Sequence, residues 1–502
     1  MRDKVGAMKL SVLAAVAALA LSGTSASGCK GPTPSRPQGP PAAAARYSAT
    51  RWVPANPSYV LASPTVREAQ RSLREAIEVL AMPMGVEVSE VGRDLSRVLA
   101  VDPLSPEAVV EIGIDLEGGI AVFSEDIAPT FVFRLAAPEQ MQAFLDRQRE
   151  RGMVTQSVIV DKAEVFTARL GGDVSLSWAI VDDWMWLHFT PPSARNEGTA
   201  WFSASYRPDA PAWAGDWQWA ESAGKLARPT VVGFLDAKQV IGRFVARVPE
   251  AMQCAKLVEP LERVGLAIEA DGTAARARIA FEVGGAAASV AAAQLAVPEG
   301  FEAVAAGAPL AAQWNLDVFA VRDWLRPCVR TIDRELASLD RAGVRAGRGA
   351  LLHLDPEDKK GAGVIALELS HARFFRGQLD DIPLRSTLER SRKFGPHAGH
   401  SLSIPFVASV DYVLTEKLAL AGVGDGLLAK LVGGGNTVPG PIAAIDVIPA
   451  GLSAETWETV LGQLGLPRAR RVVERMSAWK DGHLRLEVEG NALVFTAAGT
   501  RR

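Results

Sequence analysis

Cysteine is scarce: the 502-residue chain has three, too few for a disulfide framework. No charge of one sign dominates. The formal net charge is −3 and there is no basic run, so the electrostatic footprint of a nucleic-acid binder is missing. The apolar run near the N-terminus, Leu10–Leu21, has 12 residues, against roughly 20 for a membrane-spanning helix. No glycine-rich loop joins a strand to a helix in a βαβ unit, which argues against a doubly wound nucleotide-binding sheet. The glycines of Gly422–Gly426 and Gly433–Gly435 lack the Lys-Ser/Thr of a phosphate loop and read as turns. No convergent acid–base, nucleophile or metal set stands out. No catalytic residue, no metal ligand and no cofactor is therefore assigned.

At 48% hydrophobic and 22% charged residues, the chain has the composition of a globular protein with room for several cores. Residues 1–9 carry three basic side chains, and Leu10–Leu21 follows as the apolar h-region of a secretory signal. Next comes Ala26-Ser27-Gly28-Cys29, then a stretch rich in Pro, Gly, Ser and Ala. This segment resembles the lipobox of bacterial lipoproteins, in which the chain is cut before the cysteine and the cysteine is acylated. The resemblance implies lipidation of Cys29, a membrane partner through the lipid anchor, and, with Lys30 after the cysteine, the outer membrane. The polar stretch after Cys29 reads as a flexible tether. The body resembles uncharacterised envelope lipoproteins in general pattern, which implies no activity.

Cys254 and Cys328 remain. Each sits on the apolar face of a helical pattern. An oxidising compartment permits a bridge between them, and the alternative is two separate buried thiols.

Short apolar strands, a capping residue and an amphipathic helix recur along the chain. Helices are expected after Thr65, Asp236 and Ser453, and from Pro138. The first should bury Val66, Ala69, Leu73, Ile77 and Leu80. Hairpins are expected at Asp182-Asp183, Asp271-Gly272 and Gly490-Asn491. The fold class is α+β, with largely antiparallel sheets and amphipathic helices packed on one face, in repeated strand–helix and hairpin units. Openings at 58, 230 and 404 look like recurring modules. The expected order is a signal peptide (1–28), a tether (29–50), a first domain (51–190), a Trp-rich linker (191–228) and a second region (229–502) divided near 395.

Seven of the twelve tryptophans lie between 178 and 219. Trp184, Trp186, Trp213, Trp217 and Trp219 form a candidate platform for a protein or glycan partner, and core packing is the alternative. Gly399-His400-Ser401-Leu402-Ser403 resembles a nucleophile elbow but lacks its final glycine and a preceding strand. A serine hydrolase using Ser401, with His483 downstream, is thus the alternative to a binding or structural envelope protein. A lipid or lipoprotein carrier is a third reading. His397 and His400 would share a metal only on a helix, and Pro396 and Gly399 argue for a loop. His353, Asp355, Glu357 and Asp358 read as a hairpin tip.

Overall fold

The computed structural model describes residues 46–78, 88–151, 153–160, 163–169, 174–190, 198–206, 213, 225–245, 258–329, 331–355, 360–381, 385–404, 408–433, 437–463, 465 and 469–502. The chain forms two compact units. The first comprises residues up to Asp271 with Ala277–Val283, and the second Gly272–Arg276 with Gly284–Arg502. The division therefore falls at one hairpin and not at the Trp-rich segment 191–228.

Unit 1 is built on ten strands: β1 (Tyr59–Ser63), β2 (Ile120–Ser124), β3 (Thr130–Arg134), β4 (Thr155–Val160), β5 (Ala163–Arg169), β6 (Ser175–Val181), β7 (Trp184–Thr190), β8 (Val231–Asp236), β9 (Arg263–Ala270) and β10 (Ala274–Glu282). Their spatial order is β4-β5-β6-β7-β3-β2-β1-β8-β9-β10, antiparallel from β4 to β9. β9 and β10 pair across a turn in which Gly272 takes φ 89°. Helices α1 (Val66–Ala76), α2 (Val88–Leu99) and α3 (Pro106–Glu111) lie between β1 and β2. Helix α4 (Pro138–Glu150) follows β3, α5 (Gly198–Ser205) follows β7 and α6 (Ala237–Val245) follows β8.

Unit 2 repeats this plan. The strands of its main sheet are β11 (Leu310–Trp314), β12 (Val344–Asp355), β13 (Lys360–Leu369), β14 (Glu389–Phe394), β15 (His397–Ile404), β16 (Ala408–Leu414), β17 (Leu418–Val423), β18 (Ala443–Val447), β19 (Trp479–Glu489) and β20 (Ala492–Arg501), and a separate two-residue pairing joins Val297–Pro298 to Thr437–Val438. They run in the order β14-β15-β16-β17-β13-β12-β11-β18-β19-β20, all antiparallel. Adding ten to each strand number of unit 1 reproduces this order. Between the strands the helices fall at the same places, and unit 2 adds two before its first long strand. Helix α7 (Ala286–Ala292) and α8 (Glu299–Ala305) precede β11. Then α9 (Val318–Leu325), α10 (Ile332–Glu335) and α11 (Ala337–Ala342) separate β11 from β12. Helices α12 (Ala372–Asp380) and α13 (Arg385–Leu388) follow β13, α14 (Leu427–Gly433) follows β17, and α15 (Ala454–Gln463) and α16 (Ala469–Met476) follow β18. The true repeats are therefore the strands opening at 59 and 310, and at 231 and 443. The run at 404 ends β15 and opens no module.

The cores correspond as well. One face of the unit 1 sheet carries Trp186, Ala179, Val132, Val60 and Phe123, covered by Tyr47–Val53 and by Trp201 and Phe202 of α5. Pairing register places Leu420, Val413, Ala366, Ala311 and Ala350 at the same points of unit 2. There they pack under Phe301 and Val304 of α8 and Leu428 and Leu431 of α14. A Cβ on Gly300 would stand 2.4 Å from the Leu431 carbonyl oxygen, so only glycine lets α8 and α14 approach this closely.

The opposite face is also covered. Met185 and Trp178 alternate with Trp186 and Ala179, and pack with Ile112 just after α3 and with Met141 and Leu145 of α4. Helices thus pack on both faces of the antiparallel sheet, not on one. A strand buried on both faces must be apolar at consecutive positions, which explains Trp184-Met185-Trp186, all three at or below 3% exposure.

The helix starts fall where the capping residues place them. Thr65 accepts from Glu68 N–H at 3.0 Å, Asp236 from Gln239 N–H at 2.9 Å and Ser453 from Thr456 N–H at 3.1 Å, and Pro138 opens α4. The face of α1 differs from expectation. Gln70, Ser72 and Glu75 are buried along with Val66 and Ile77, while Leu73 is 46% exposed. Ser72 Oγ lies 2.7 Å from Thr230 Oγ1, and Gln70 donates to the Pro103 carbonyl at 2.8 Å. Hydrogen bonds to neighbouring backbone and hydroxyls orient this helix, so its polar side turns inward.

Trp186 contacts Trp52, Phe123, Phe202 and Tyr206 at centroid distances of 5.6–6.2 Å. Its replacement by Ala removes these contacts and opens a large cavity. We expect Trp186→Ala to cost about 3–5 kcal/mol, measured as a lowered urea midpoint. A cost below about 1 kcal/mol would show that this cluster does not hold the sheet.

Candidate functional site

In unit 2, pairing register aligns Leu484, Ile445, Ala312, Gly349, Ile365 and Ala421 in one row across six adjacent strands. All point away from the face covered by α8 and α14. At strand spacings of about 4.8 Å the row is about 24 Å long. Its two flanks are walled. On one side α15 and α16 pack on Leu310 and Val447; on the other Ala342 and Phe375 pack with Leu367 and Ala419. Between the walls the row stays open: Ile365 is 52% exposed, Ile445 42%, and neighbouring Trp314 37%. The floor is low because Ala312 and Gly349 stand at its centre. A Cβ on Gly349 would meet nothing nearer than 3.8 Å.

The row continues into a polar end. Tyr412 pairs with Ala421, and His400 with Tyr412. Their rings stack at 5.2 Å. His400 Nδ1 lies 2.9 Å from Glu389 Oε1, and the Tyr412 hydroxyl donates to the same carboxylate. Glu389, Ser391 and Lys393 alternate along β14 and so share this face.

The same row in unit 1 reads Leu266, Gly233, Leu61, Val122, Phe131 and Leu187, with Leu61 36% exposed. It ends differently. Trp178 and Phe166 stand where Tyr412 and His400 stand in unit 2, stacked at 5.4 Å and buried against Met141 and Leu145 of α4.

No family model matches the chain, and no curated protein matches it. Solved structures similar to part of it are crystal forms III and I of TP0453. They are 11% and 14% identical to it, at TM-scores of 0.29 and 0.22. They cover 47% and 40% of this chain, and 80% and 78% of their own.

The residues singled out from sequence fare unequally. Cys29, Cys254, Trp217 and Trp219 lie outside the described residues, as do Glu357 and Asp358. Cys328 is disulfide-bonded. Trp184, Trp186 and Trp213 are 3%, 0% and 5% exposed and belong to the unit 1 core. They form no surface platform: the sheet is covered on both faces there, and Arg51 caps Trp184 and Trp52 at 5.0 and 4.5 Å. The segment that looked like a Trp-rich linker contains α5, whose Trp201 donates to Thr130 Oγ1 at 2.9 Å.

Ser401 is no nucleophile elbow. It stands within antiparallel β15, paired with Arg390 and Asp411, and its hydroxyl meets Ser409 Oγ at 3.0 Å. His483 is engaged by Asp446 at 2.6 Å across the β18–β19 pair. His397 and His400 are three apart on a strand, so they face opposite sides. Among the described residues, no group of three His, Cys, Asp or Glu is placed to hold a metal.

The covered face of unit 2 holds a second polar cluster that sequence reading missed. Arg348 is 2% exposed. Its Nε donates to Asn315 Oδ1 at 2.6 Å and Nη2 to the Ala296 carbonyl at 2.8 Å, while Nη1 has no hydrogen-bond partner among the described residues. Asn315 in turn donates to Gln313 Oε1 and the Pro441 carbonyl at 2.9 and 2.7 Å. Burial lowers the Arg348 pKa to about 10, against the pull of Glu368 and Glu302. Burial also raises the Glu368 carboxyl above its ordinary value, opposed by Arg348, Arg345 and Lys417. The cluster fixes β12 against the segment before β11.

A carboxyl raised in the folded state binds more protons there than in the unfolded chain. Stability from this group is full below the unfolded value of 4.5 and falls as pH rises through the higher folded value. Glu368→Gln is expected to lose that fall, so its stability relative to wild type rises with pH across this window. Urea unfolding at intervals from about pH 4 to pH 7 reads it. Parallel curves for the two proteins would refute it.

Proposed function

We propose that this is an exported, lipid-anchored protein of the bacterial outer membrane whose body binds a ligand without catalysis. The single supporting observation from the fold is the open apolar row of unit 2, walled by helices and exposed at Ile365 and Ile445. Exposed large apolar side chains gathered on one surface mark interaction sites. The N-terminal address supports the location: an apolar run, Ala26-Ser27-Gly28-Cys29, and a Pro/Gly-rich tether. Acylation at Cys29 would hold the body to the bilayer, since two or more chains give stable anchoring. The serine-hydrolase reading has less support, because Ser401 stands in mid-strand with its hydroxyl on Ser409 and, among the described residues, no histidine bonded to it.

Cys29→Ser tests the address. We expect the variant to lose metabolic labelling by palmitate and to leave the membrane fraction. Unchanged labelling and sedimentation would overturn the anchor. Cys328 is bridged, and acylation of Cys29 would leave Cys254 as its partner. Peptide mapping of the mature protein without reductant is expected to recover Cys254 and Cys328 as one linked pair. A free Cys254 would overturn that pairing.

A further inference from the structure

The geometry points to an occupant for the groove of unit 2: the acyl chain of a long-chain fatty acid, with its carboxylate at the His400 end. This rests on the binding reading above, and not on the lipid anchor. Three observations select this chemistry. The first is length. The apolar row is about 24 Å long, while one leaflet's share of a bilayer core is about 15 Å. A single acyl chain fits lengthwise. The second is depth. Small residues at Ala312 and Gly349 sink the floor between Ile365 and Ile445, and α15 and α16 wall one flank. The sunken stretch spans two strands, about 10 Å, room for the methylenes of one chain and not for a helix, whose diameter with side chains is about 10–12 Å.

The third is charge. The six residues of the row include no ionisable group. Beyond Ala421, polar groups gather on the same face: His400, Ser391 and the exposed Lys393. Glu389 is already engaged by His400 and Tyr412, which leaves the Lys393 ammonium to meet an anionic head. Unit 1 sharpens the assignment by contrast. Its row ends on buried Phe166 and Trp178, which offer a carboxylate no seat. One fatty acid per chain is therefore expected, held by unit 2.

The experiment uses the Cys29→Ser protein, so that no anchor acyl chain competes. Displacement of the fluorescent fatty acid cis-parinarate by palmitate reads affinity, and native mass spectrometry reads stoichiometry. We expect one palmitate per chain. Ile365→Asp places a charge mid-row and should weaken binding about tenfold or more. Gly349→Leu fills the floor without adding charge and should weaken it comparably, which covers the case in which Ile365→Asp fails to fold. Lys393→Glu should weaken palmitate about threefold and leave the neutral ester methyl palmitate unchanged. Equal affinity in Gly349→Leu and wild type would overturn the site. A dimer lost in Ile365→Asp, with no palmitate bound, would overturn the ligand while leaving a non-catalytic binding role intact. Capture of phosphatidylglycerol vesicles without palmitate binding would do the same. Loss of the anchor in the fractionation test leaves this experiment unaffected.

Discussion

Each unit depends on one long-range seam. Strands β1 to β7 form one continuous block and β8 to β10 another, and β1–β8 pairing joins them. Ser63 Oγ donates to the Thr230 carbonyl at 2.6 Å across this seam, between residues 167 apart in the chain. Closing such a loop is entropically costly, but the cost grows only with the logarithm of loop length. Burial on both faces offsets it. Val60 and Val232 flank the seam on one side, within the tryptophan cluster. Tyr59 and Leu235 flank it on the other, beneath α6. The β11–β18 seam of unit 2 has the same design, with Leu310 and Val447 beneath α15.

The shared plan makes the differences between the units informative. Large aromatic rings fill unit 1, and alanines at 49, 62, 121 and 179 make room for them. Unit 2 fills the same layer with Leu, Val and Phe from two helices that meet at Gly300. The unit 2 layer also accommodates Arg348, where register places Ala121 in unit 1. On the other face, the stacked pair at one end of the row is apolar and covered in unit 1, polar and partly exposed in unit 2. The outermost strands diverge too. Arg390, Arg392 and Lys393 guard β14, as charges commonly guard sheet edges, whereas β4 exposes Val158 and Ile159.

Local features were legible in the sequence. Caps at Thr65, Asp236 and Ser453, Pro138 at a helix start, and the hairpin turns at 182, 272 and 490 are all made by short-range backbone chemistry. Their signals sit within a few residues of the structure they cause. Asp182, Gly272 and Gly490 adopt the positive φ values those turns require. The inward face of α1 was not legible, because its partners Pro103 and Thr230 lie far along the chain. The groove left a faint trace: Gly347 and Gly349 alternate with larger residues in β12, and a period of two in small residues marks one bare strand face.

By itself, the sequence determined the antiparallel strand-and-helix character, the turns and the helix starts. Only tertiary structure decided that Trp184, Trp186 and Trp213 are core, that the chain divides at a hairpin near 272, and that two units share one strand order. It also decided that six residues spread over more than 170 positions, from Ala312 to Leu484, form one row. The physical reason is the same throughout. Periodicity reports which residues share a face of one element, while strand register across the sheet, set by distant partners, decides what that face meets.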